Sequence, residues 1–302
     1  MTWDSFIWFA SVSSLLWISG AAVSAKSVRR LPAALISGAG SALFLIFIAG
    51  FWLELGRPPL RTMGETRLWF SLFLSMTGLA VYLLRGFCWI LPFSSMMSVM
   101  FVCINVFKPE IHSRALVPAL QSPWFVPHVI VYMFAYAVMG VVTILAVHLI
   151  RLSGRYSHRI GVGNETAGKF GKADAPERLR ADTGFWKELQ FCDSLVRMGW
   201  GFLTMGIVMG ALWAKQAWGD YWTWDPKETW AAATWLGYLL YMHLRQFSMH
   251  PGQFPGNPPD SNRLKATRTA LYLLLFCFVL LQMCWWGVNL LPSARGFSLH
   301  TY

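Results

Sequence analysis

The sequence is poor in charge. Only 13% of its 302 residues are Asp, Glu, Lys or Arg, whereas 56% are hydrophobic. A soluble domain carries about 25% charged residues. A chain with this balance cannot hide its apolar side chains in one water-exposed globule, so the lipid bilayer is its expected solvent. Because lipid-exposed backbone must satisfy its own hydrogen bonds, the sequence predicts an all-α membrane protein.

Motifs of several function classes are also missing. The five cysteines form no Cys-x-x-Cys pair and mostly lie in apolar segments, so we interpret them as small buried hydrophobes without a disulfide framework or thiol redox activity. There is no Walker A or dinucleotide-binding motif, since Gly161-Val162-Gly163 lies in a polar stretch and follows no predicted strand. No fixed-period repeat is apparent.

Long apolar runs dominate what is there. A membrane span needs roughly 20 mostly apolar residues. Eight segments qualify and predict a bundle of about eight transmembrane helices in one polytopic domain, residues 1–302: Ser5–Ala25, Leu31–Leu55, Leu68–Leu84, Phe87–Val106, Trp124–Arg151, Phe191–Ala214, Thr229–Leu244 and Thr267–Leu291. We interpret the first as a retained helix and not a signal peptide, because Asp4 and no Lys or Arg precede it.

The basic residues indicate how the chain is oriented. With the N-terminus outside, 16 of the 25 Lys and Arg residues fall in inner segments and eight in outer ones, as is typical of cytoplasmic loops. This distribution, and not nucleic-acid binding, explains the net charge of +11. Both termini and residues 215–228 are then extracytoplasmic. Residues 153–190 and His250–Asn262 are expected to be inner loops with little fixed structure.

Residues 215–228, here called the Trp-rich loop, and the residues just after them are the most informative stretch. Four Trp and one Tyr occur within the 13 residues Trp218–Trp230. Flat aromatic side chains at this density favour a large, flat, apolar ligand such as a porphyrin. An interfacial aromatic belt is the alternative, but a belt needs only one or two Trp at each helix end.

The end of this loop predicts a helix start. Asp225 suits the N-cap, Pro226 the first helical position and Glu228 the third. Asp225 therefore has a structural role as a cap beside any role in binding a ligand.

Trp218, Gly219, Trp222, Trp224 and Asp225 fill the pattern W-G-x-x-W-x-W-D completely. In this the chain resembles the integral-membrane subunit of the system II cytochrome c haem lyase, within the wider cytochrome c assembly family. The resemblance extends over roughly Gly56 to the end. It implies haem b as bound substrate, with Trp218, Trp222, Trp224 and Asp225 at its site. It also implies a second membrane subunit, apocytochrome c and thiol-reducing proteins as partners, in a bacterial plasma (inner) membrane or a thylakoid membrane.

Two histidines share the predicted outer face with the Trp-rich loop. His128 begins the fifth span, and His300 lies near the C-terminus. Neutral imidazole is a common axial ligand of haem iron, and two outer histidines flank the loop in the family that the chain resembles. The alternative is an interfacial histidine bonded to water or backbone. The tail departs from the family pattern, because residues 292–298 make it longer and Thr301 replaces Ser.

His243 is the candidate ligand of a second, inner haem. It lies 14 residues after Thr229, roughly 21 Å along a helix, so it cannot share an iron with His128 or His300. The resemblance implies that the other inner ligand comes from the partner subunit, although His148 could replace it if the chain works alone. The alternative for His243 is snorkelling to the inner interface beside Arg245.

Three arginines are candidate partners of the haem propionates. Arg57 and Arg61 lie outside, against the general trend, and the alternative is that they are solvated loop charges. Arg197 lies in the sixth span, where the alternative is an ion pair with Asp193 four residues earlier.

The expected function is to hold and position haem. The chain supplies no nucleophile, since the apocytochrome brings the thiols that react with the haem. The chain would move haem across the membrane and present it for thioether attachment to a Cys-x-x-Cys-His segment. The alternatives are a haem exporter that feeds a separate chaperone, a b-type electron-transfer subunit, and a scaffold without haem.

Overall fold

The computed structural model describes the backbone of residues 1–26, 29–109, 112, 122–165, 175–248, 261–285 and 287. The described secondary structure is entirely helical, as predicted. The eight helices are α1 (Trp3–Lys26), α2 (Arg30–Leu55), α3 (Met63–Arg85), α4 (Ile90–Phe107), α5 (Phe125–Glu165), α6 (Ala175–Trp218), α7 (Pro226–Ser248) and α8 (Ser261–Trp285).

Seven of these described helices contain a stretch that is long and apolar enough to cross a membrane. The protein is therefore a multi-pass integral membrane protein. Helix α7 coincides with the seventh predicted span but falls short of that criterion. It carries Lys227, Glu228 and Arg245, and the last two of these are buried inside the protein.

Two helices are longer than the sequence indicated. Helix α5 continues to Glu165 and α6 begins at Ala175, so much of the stretch 153–190 that we expected to be a loop is helical. The many Gly and charged residues of this stretch lower its apolar character, which is the sequence signal of a membrane-spanning helix. The expected inner loop His250–Asn262 lies mostly outside the described residues, which resume at Ser261.

The described residues group into two compact units. Of the described residues, the first unit contains Met1–Val141 and Gly201–Asp225, and the second contains Val142–Trp200 and those from Pro226 to Gly287. The division falls within α5 and α6, so each of these long helices contributes to both units. The first unit contains His128 and the second contains His243, which are the two main candidate haem ligands among the described residues.

Small and polar residues hold the first four helices together. Helix α1 packs against α2 and α4, and α3 packs against α2 and α4. The Trp17 indole N–H donates to Ser41 Oγ at 3.0 Å, and the Ser41 and Ser75 hydroxyls are 3.0 Å apart, which links α1, α2 and α3. Such hydrogen bonds and close approaches are typical of helix association in lipid, where apolar burial alone gives little drive.

Helix α3 begins with a complete capping box. The Thr62 side chain accepts from the Glu65 N–H at 3.1 Å, and the Glu65 carboxylate accepts from the Thr62 N–H in return. The Arg57 guanidinium donates to both oxygens of the same carboxylate, at 3.0 and 2.9 Å. The short connection between α2 and α3 is thereby fixed on one buried acidic side chain.

Candidate functional site

The beginning of α5 lies antiparallel to the end of α6 in the first unit. Phe134 contacts Phe202 with ring centroids 4.7 Å apart, and Phe125 contacts Trp213 at 5.4 Å. His128 lies between these two contacts and is half-buried. The predicted haem ligand therefore faces the stretch of α6 that leads directly into the Trp-rich loop.

A backbone carbonyl of α6 fixes the tautomer of His128. The His128 Nδ1 lies 2.8 Å from the Gly206 carbonyl oxygen. A carbonyl only accepts hydrogen bonds, so Nδ1 carries the proton and Nε2 carries the lone pair. Metal-binding histidines commonly use this arrangement, in which one ring nitrogen donates to a carbonyl and the other is the ligand atom.

Aromatic rings on two sides further restrict the His128 ring. The Trp213 ring lies 5.7 Å away and is nearly parallel, at 22°, while Tyr132 approaches edge-on at 4.7 Å. Trp213 is 1% exposed and in turn meets Trp218 edge-on at 4.8 Å. The aromatic contacts thus run continuously from His128 to the first Trp of the predicted motif.

The Trp-rich loop is shorter than the sequence indicated, because α6 extends to Trp218 and α7 begins at Pro226. The helix start at Pro226 agrees with the prediction and leaves buried Asp225 at the N-cap position. At the other end, Lys215 Nζ donates to the Gly219 carbonyl at 2.6 Å and lies 5.2 Å from the centre of the Tyr221 ring. Gly219 adopts φ +91°, which a residue with a side chain rarely does.

Trp222 and Trp224 present different surfaces although their rings meet edge-on at 5.7 Å. Trp224 is 70% exposed and has φ +58°, a strained value for a bulky residue. Trp222 is half-buried, and its buried indole Nε1 has no hydrogen-bond partner among the described residues. An unsatisfied buried donor costs about 1–3 kcal/mol, so an acceptor supplied by a ligand would be favoured at this point.

In the second unit, a buried ion pair connects the helices around His243. The Arg245 guanidinium donates to Asp193 Oδ2 at 2.9 Å and to Oδ1 at 3.1 Å, and both side chains are 4% exposed. The Tyr241 hydroxyl donates to Asp193 Oδ1 at 2.6 Å. Asp193 therefore pairs with Arg245 of α7. In the sequence analysis, Asp193 was the alternative partner of Arg197.

His243 lies on the opposite side of α7 from these buried groups and is exposed. Its Nδ1 lies 3.0 Å from the Leu239 carbonyl oxygen of the same helix. As at His128, the proton is on Nδ1 and the lone pair is on Nε2. If a ligand binds this imidazole, Nε2 is therefore the atom that binds it.

The remaining predicted site residues have varied surroundings. His148 Nε2 lies 3.3 Å from the Glu188 carboxylate, so this nitrogen already has a partner. Arg197 is exposed and donates to the Ser194 hydroxyl at 3.0 Å. His300 lies outside the described residues.

Arg61 lies beside the Arg57–Glu65 pair at the start of α3. Burial and the nearby Arg57 charge lower the pKa of Arg61, and the Glu65 carboxylate opposes them. The guanidinium remains protonated at any physiological pH. The two arginines therefore differ, because Arg57 is committed to Glu65 through both terminal nitrogens and Arg61 contacts this carboxylate through its backbone N–H.

Sequence reasoning missed three residues that shape the surroundings of His128, namely Gly206, Gly210 and Trp213. They recur at intervals of four and three on α6 and so share one face of the helix. A Gly-x-x-x-Gly pattern is a known signal of close helix packing in membranes. That spacing could have been read from the sequence, but its connection with His128 depends on tertiary contacts.

Comparison with known proteins agrees with the motif. The sequence model of the family described as "Cytochrome C assembly protein" matches residues 7–294. Among curated relatives, the cytochrome c biogenesis protein CcsA of Chlamydomonas reinhardtii is 29% identical over 299 residues, covering 96% of this chain and 73% of the relative. The CcsA of Phalaenopsis aphrodite subsp. formosana is 31% identical, with coverage of 85% and 82%.

A third relative, the CcsA of Cuscuta exaltata, is 28% identical over 310 residues, which covers 97% of this chain and 93% of the relative. Similarity therefore extends over nearly the whole length of both proteins and well beyond the Trp-rich loop. The chain belongs to the cytochrome c assembly protein family, of the system II type, and acts in cytochrome c maturation.

Proposed function

We propose that the chain is the haem-holding subunit of a cytochrome c haem lyase. It binds haem at the Trp-rich loop, with His128 and His300 as axial ligands, and presents it to the Cys-x-x-Cys-His segment of an apocytochrome c. The observation that carries the proposal is the tautomer of His128. Its Nδ1 proton is held by the Gly206 carbonyl, which leaves Nε2 as the ligand atom beside the aromatic loop.

The chemistry that follows needs positioning more than catalytic groups. Each cysteine thiol adds across a haem vinyl group, so a C–S bond forms, the thiol proton ends on the other vinyl carbon, and no electrons are exchanged. The aromatic rings of the loop would orient the porphyrin so that a vinyl edge faces the incoming segment. The histidine of that segment would then displace one axial ligand and draw the product away.

The Trp-rich loop and the connection between α2 and α3 each contain a candidate partner for the haem propionates. The Trp222 indole N–H is a buried donor that lacks an acceptor among the described residues, and a carboxylate would satisfy it. Arg61 supplies a positive charge, whereas Arg57 would act by holding the connection that carries Arg61, since its own guanidinium is bound to Glu65. Asp225 would serve chiefly as the cap that joins the loop to α7.

We further propose that His243 ligates haem at a second, inner site, from which haem moves to the Trp-rich loop. Its exposed position on α7 and its Nδ1 bond to Leu239 fit a haem that is shared with the second membrane subunit. His148 is a weaker candidate for the other ligand, because its Nε2 lies 3.3 Å from the Glu188 carboxylate. Arg197 is exposed and is the candidate propionate partner at this inner site.

The decisive experiment uses the complex of this chain with its partner subunit, co-expressed with a client apocytochrome. We compare His128→Gly with wild type, and use His112→Asn, a histidine outside the proposed sites, as the control. We expect His128→Gly to lose most of the low-spin haem spectrum of the Trp-rich loop and most covalent cytochrome, and added imidazole to restore both. The control should keep them.

Two results would contradict the proposal in different ways. An unchanged spectrum in His128→Gly would remove this residue as a ligand. Haem bound normally by the wild-type complex, but never attached to the client, would favour a haem exporter over a lyase.

A further inference from the structure

We infer that Gly206 and Gly210 of α6 are positioning residues that set the orientation of the His128 imidazole. The inference rests on the proposed role of His128 as an iron ligand. It goes beyond that role because it assigns the control of ligand geometry to two glycines on a neighbouring helix. Neither glycine has a side chain that could contact the haem.

The first step is the closeness of α6 to His128. A Cβ added at Gly210 would lie 2.7 Å from Cε1 and 2.9 Å from Nδ1 of the imidazole. Contacts this short do not occur in real structures, so the ring can occupy its position only because residue 210 has no side chain. One of the two crowded atoms, Nδ1, is the nitrogen that donates to the Gly206 carbonyl of α6.

The second step is the hydrogen bond itself. Within α6 the Gly206 carbonyl accepts from the N–H of residue 210, as in any α-helix, and it also accepts from His128 Nδ1 at 2.8 Å. A carbonyl has two lone pairs, so it can serve both donors. A side chain of another helix can reach this carbonyl because the residue four positions later, which covers that side of the helix, is glycine.

The third step is the support given by Tyr132. A Cβ added at Gly206 would lie 2.7 and 2.8 Å from Cδ2 and Cε2 of the Tyr132 ring. Tyr132 meets His128 edge-on at 4.7 Å. Gly206 therefore accommodates the ring that supports the imidazole, and Gly210 accommodates the imidazole directly. We expect Gly210 to have the larger effect on the ligand.

Helix stability alone would predict the opposite result. Alanine is about 1 kcal/mol more favourable than glycine within a helix. If the two glycines had only a local role, replacing them would leave the protein equally stable or more stable. A loss of haem ligation in Gly210→Ala would therefore indicate the contact with His128.

Gly201 provides a matched control on the same helix. It lies five residues before Gly206, and a Cβ added there meets no atom within 4 Å. Gly201→Ala makes the same chemical change as the test variants, with the same gain in helix propensity. It does so without crowding His128 or Tyr132.

The experiment compares Gly210→Ala, Gly206→Ala and Gly201→Ala in the complete complex, by haem titration and by the spectrum of the bound haem. Changes around a ligand histidine commonly lower metal affinity 10- to 100-fold. We expect Gly210→Ala to weaken haem binding at the Trp-rich loop roughly tenfold or more and to alter the low-spin signal. Gly206→Ala should have a smaller effect, and Gly201→Ala should resemble wild type.

A double variant distinguishes positioning from general packing damage. In a His128→Gly background, imidazole added from solution binds the iron and is free to settle where the space allows. Gly210→Ala should then cost much less than it does with His128 present. An equal cost in both backgrounds would show that Gly210 matters only for packing and would overturn the inference.

Protein yield gives a second readout if Gly210→Ala accumulates poorly. Recovery of the yield in His128→Gly/Gly210→Ala would identify the imidazole as the clashing group and support the inference, while failure of both would overturn it. The proposed function is judged separately, by His128→Gly alone. If that variant changes the spectrum while Gly210→Ala matches Gly201→Ala, only the glycine inference fails.

Discussion

The two units of the molecule hold their histidines by different means. In the first unit, His128 is enclosed by glycine backbone and aromatic rings and bonds to a carbonyl of another helix. In the second unit, His243 is exposed and bonds to a carbonyl four residues earlier in its own helix. Both arrangements put the lone pair on Nε2, but only the first depends on how two helices pack.

The difference also concerns how the surrounding helices are fixed. Around His128 the packing is close and apolar, with Trp213 almost completely buried. Around His243 the fixed element is the Asp193–Arg245 ion pair, which Tyr241 joins through its hydroxyl. Since Arg245 must face inward to reach Asp193, His243 two residues earlier faces outward. The first unit thus restrains its histidine directly, and the second restrains the helix that carries it.

The largest effect should come from breaking the ion pair of the second unit. Asp193→Asn leaves the Arg245 charge buried without its counter-charge, which typically costs about 3–5 kcal/mol. We expect a clear loss of thermal stability and of haem at His243, measured on the detergent-purified complex. Arg197→Gln, at an exposed position on the same helix, should stay within about 0.5 kcal/mol of wild type.

The double replacement Asp193→Leu/Arg245→Met removes both charges together. Replacing a complete buried pair by apolar residues is often neutral. The double variant should be clearly more stable than Asp193→Asn, but less stable than wild type because the buried Tyr241 hydroxyl loses its acceptor. This order of stabilities would agree with the ion-pair explanation. If Asp193→Asn is as stable as Arg197→Gln, the pair does not hold α7.

A smaller effect is expected from the ion pair of the first unit. In Arg57→Ala the Glu65 carboxylate loses its bidentate partner but still accepts from the N–H groups of Arg61 and Thr62. Arg57 is also 22% exposed, so water can reach part of the pair. We expect a loss of about 1.5–2 kcal/mol in thermal unfolding, at the lower end of the range for hydrogen bonds to charged groups. Arg57→Lys should fall in between, since it keeps the charge but not the bidentate geometry.

The comparison between the two pairs is the informative part of this measurement. A loss in Arg57→Ala as large as that in Asp193→Asn would mean that the connection before α3 is as important to stability as the packing of α7. If Arg57→Ala then also lost haem, that loss would be better explained by destabilisation of the protein than by a missing contact between Arg57 and a propionate.

The smallest effect on stability, and one of opposite sign, should come from Trp222→Phe. This change removes a buried donor that has no acceptor among the described residues, so the haem-free protein should be equally stable or slightly more stable. If the indole N–H donates to a propionate, haem affinity should fall roughly tenfold to a hundredfold, since hydrogen bonds to charged groups contribute about 1.5–3 kcal/mol.

Trp224→Phe is the matched control for that variant. Its ring is 70% exposed, and the change conserves an aromatic surface for the porphyrin. Equal losses of affinity in the two variants, measured by haem titration, would indicate ring stacking and not a hydrogen bond from Trp222.

Much of the helical fold could be predicted because each span is encoded locally. The predicted spans coincide with the eight helices, since an apolar run of suitable length has one stable conformation in lipid. The helix start at Pro226 was predictable for the same reason, because helix-capping signals consist of residue types a few positions apart in the chain. The helical parts of residues 153–190 were missed because their charged and glycine residues hide the apolar signal.

The sequence by itself determined the membrane character, the helices, the family and the histidines and tryptophans that a haem site would need. Each of these depends on residue type or on spacing along the chain. The tertiary structure alone decided that Asp193 pairs with Arg245, that Arg57 is bound to Glu65, and that His128 lies against Gly206, Gly210 and Trp213. These contacts join residues from 8 to 85 positions apart, and no local rule fixes which of many possible partners comes within reach.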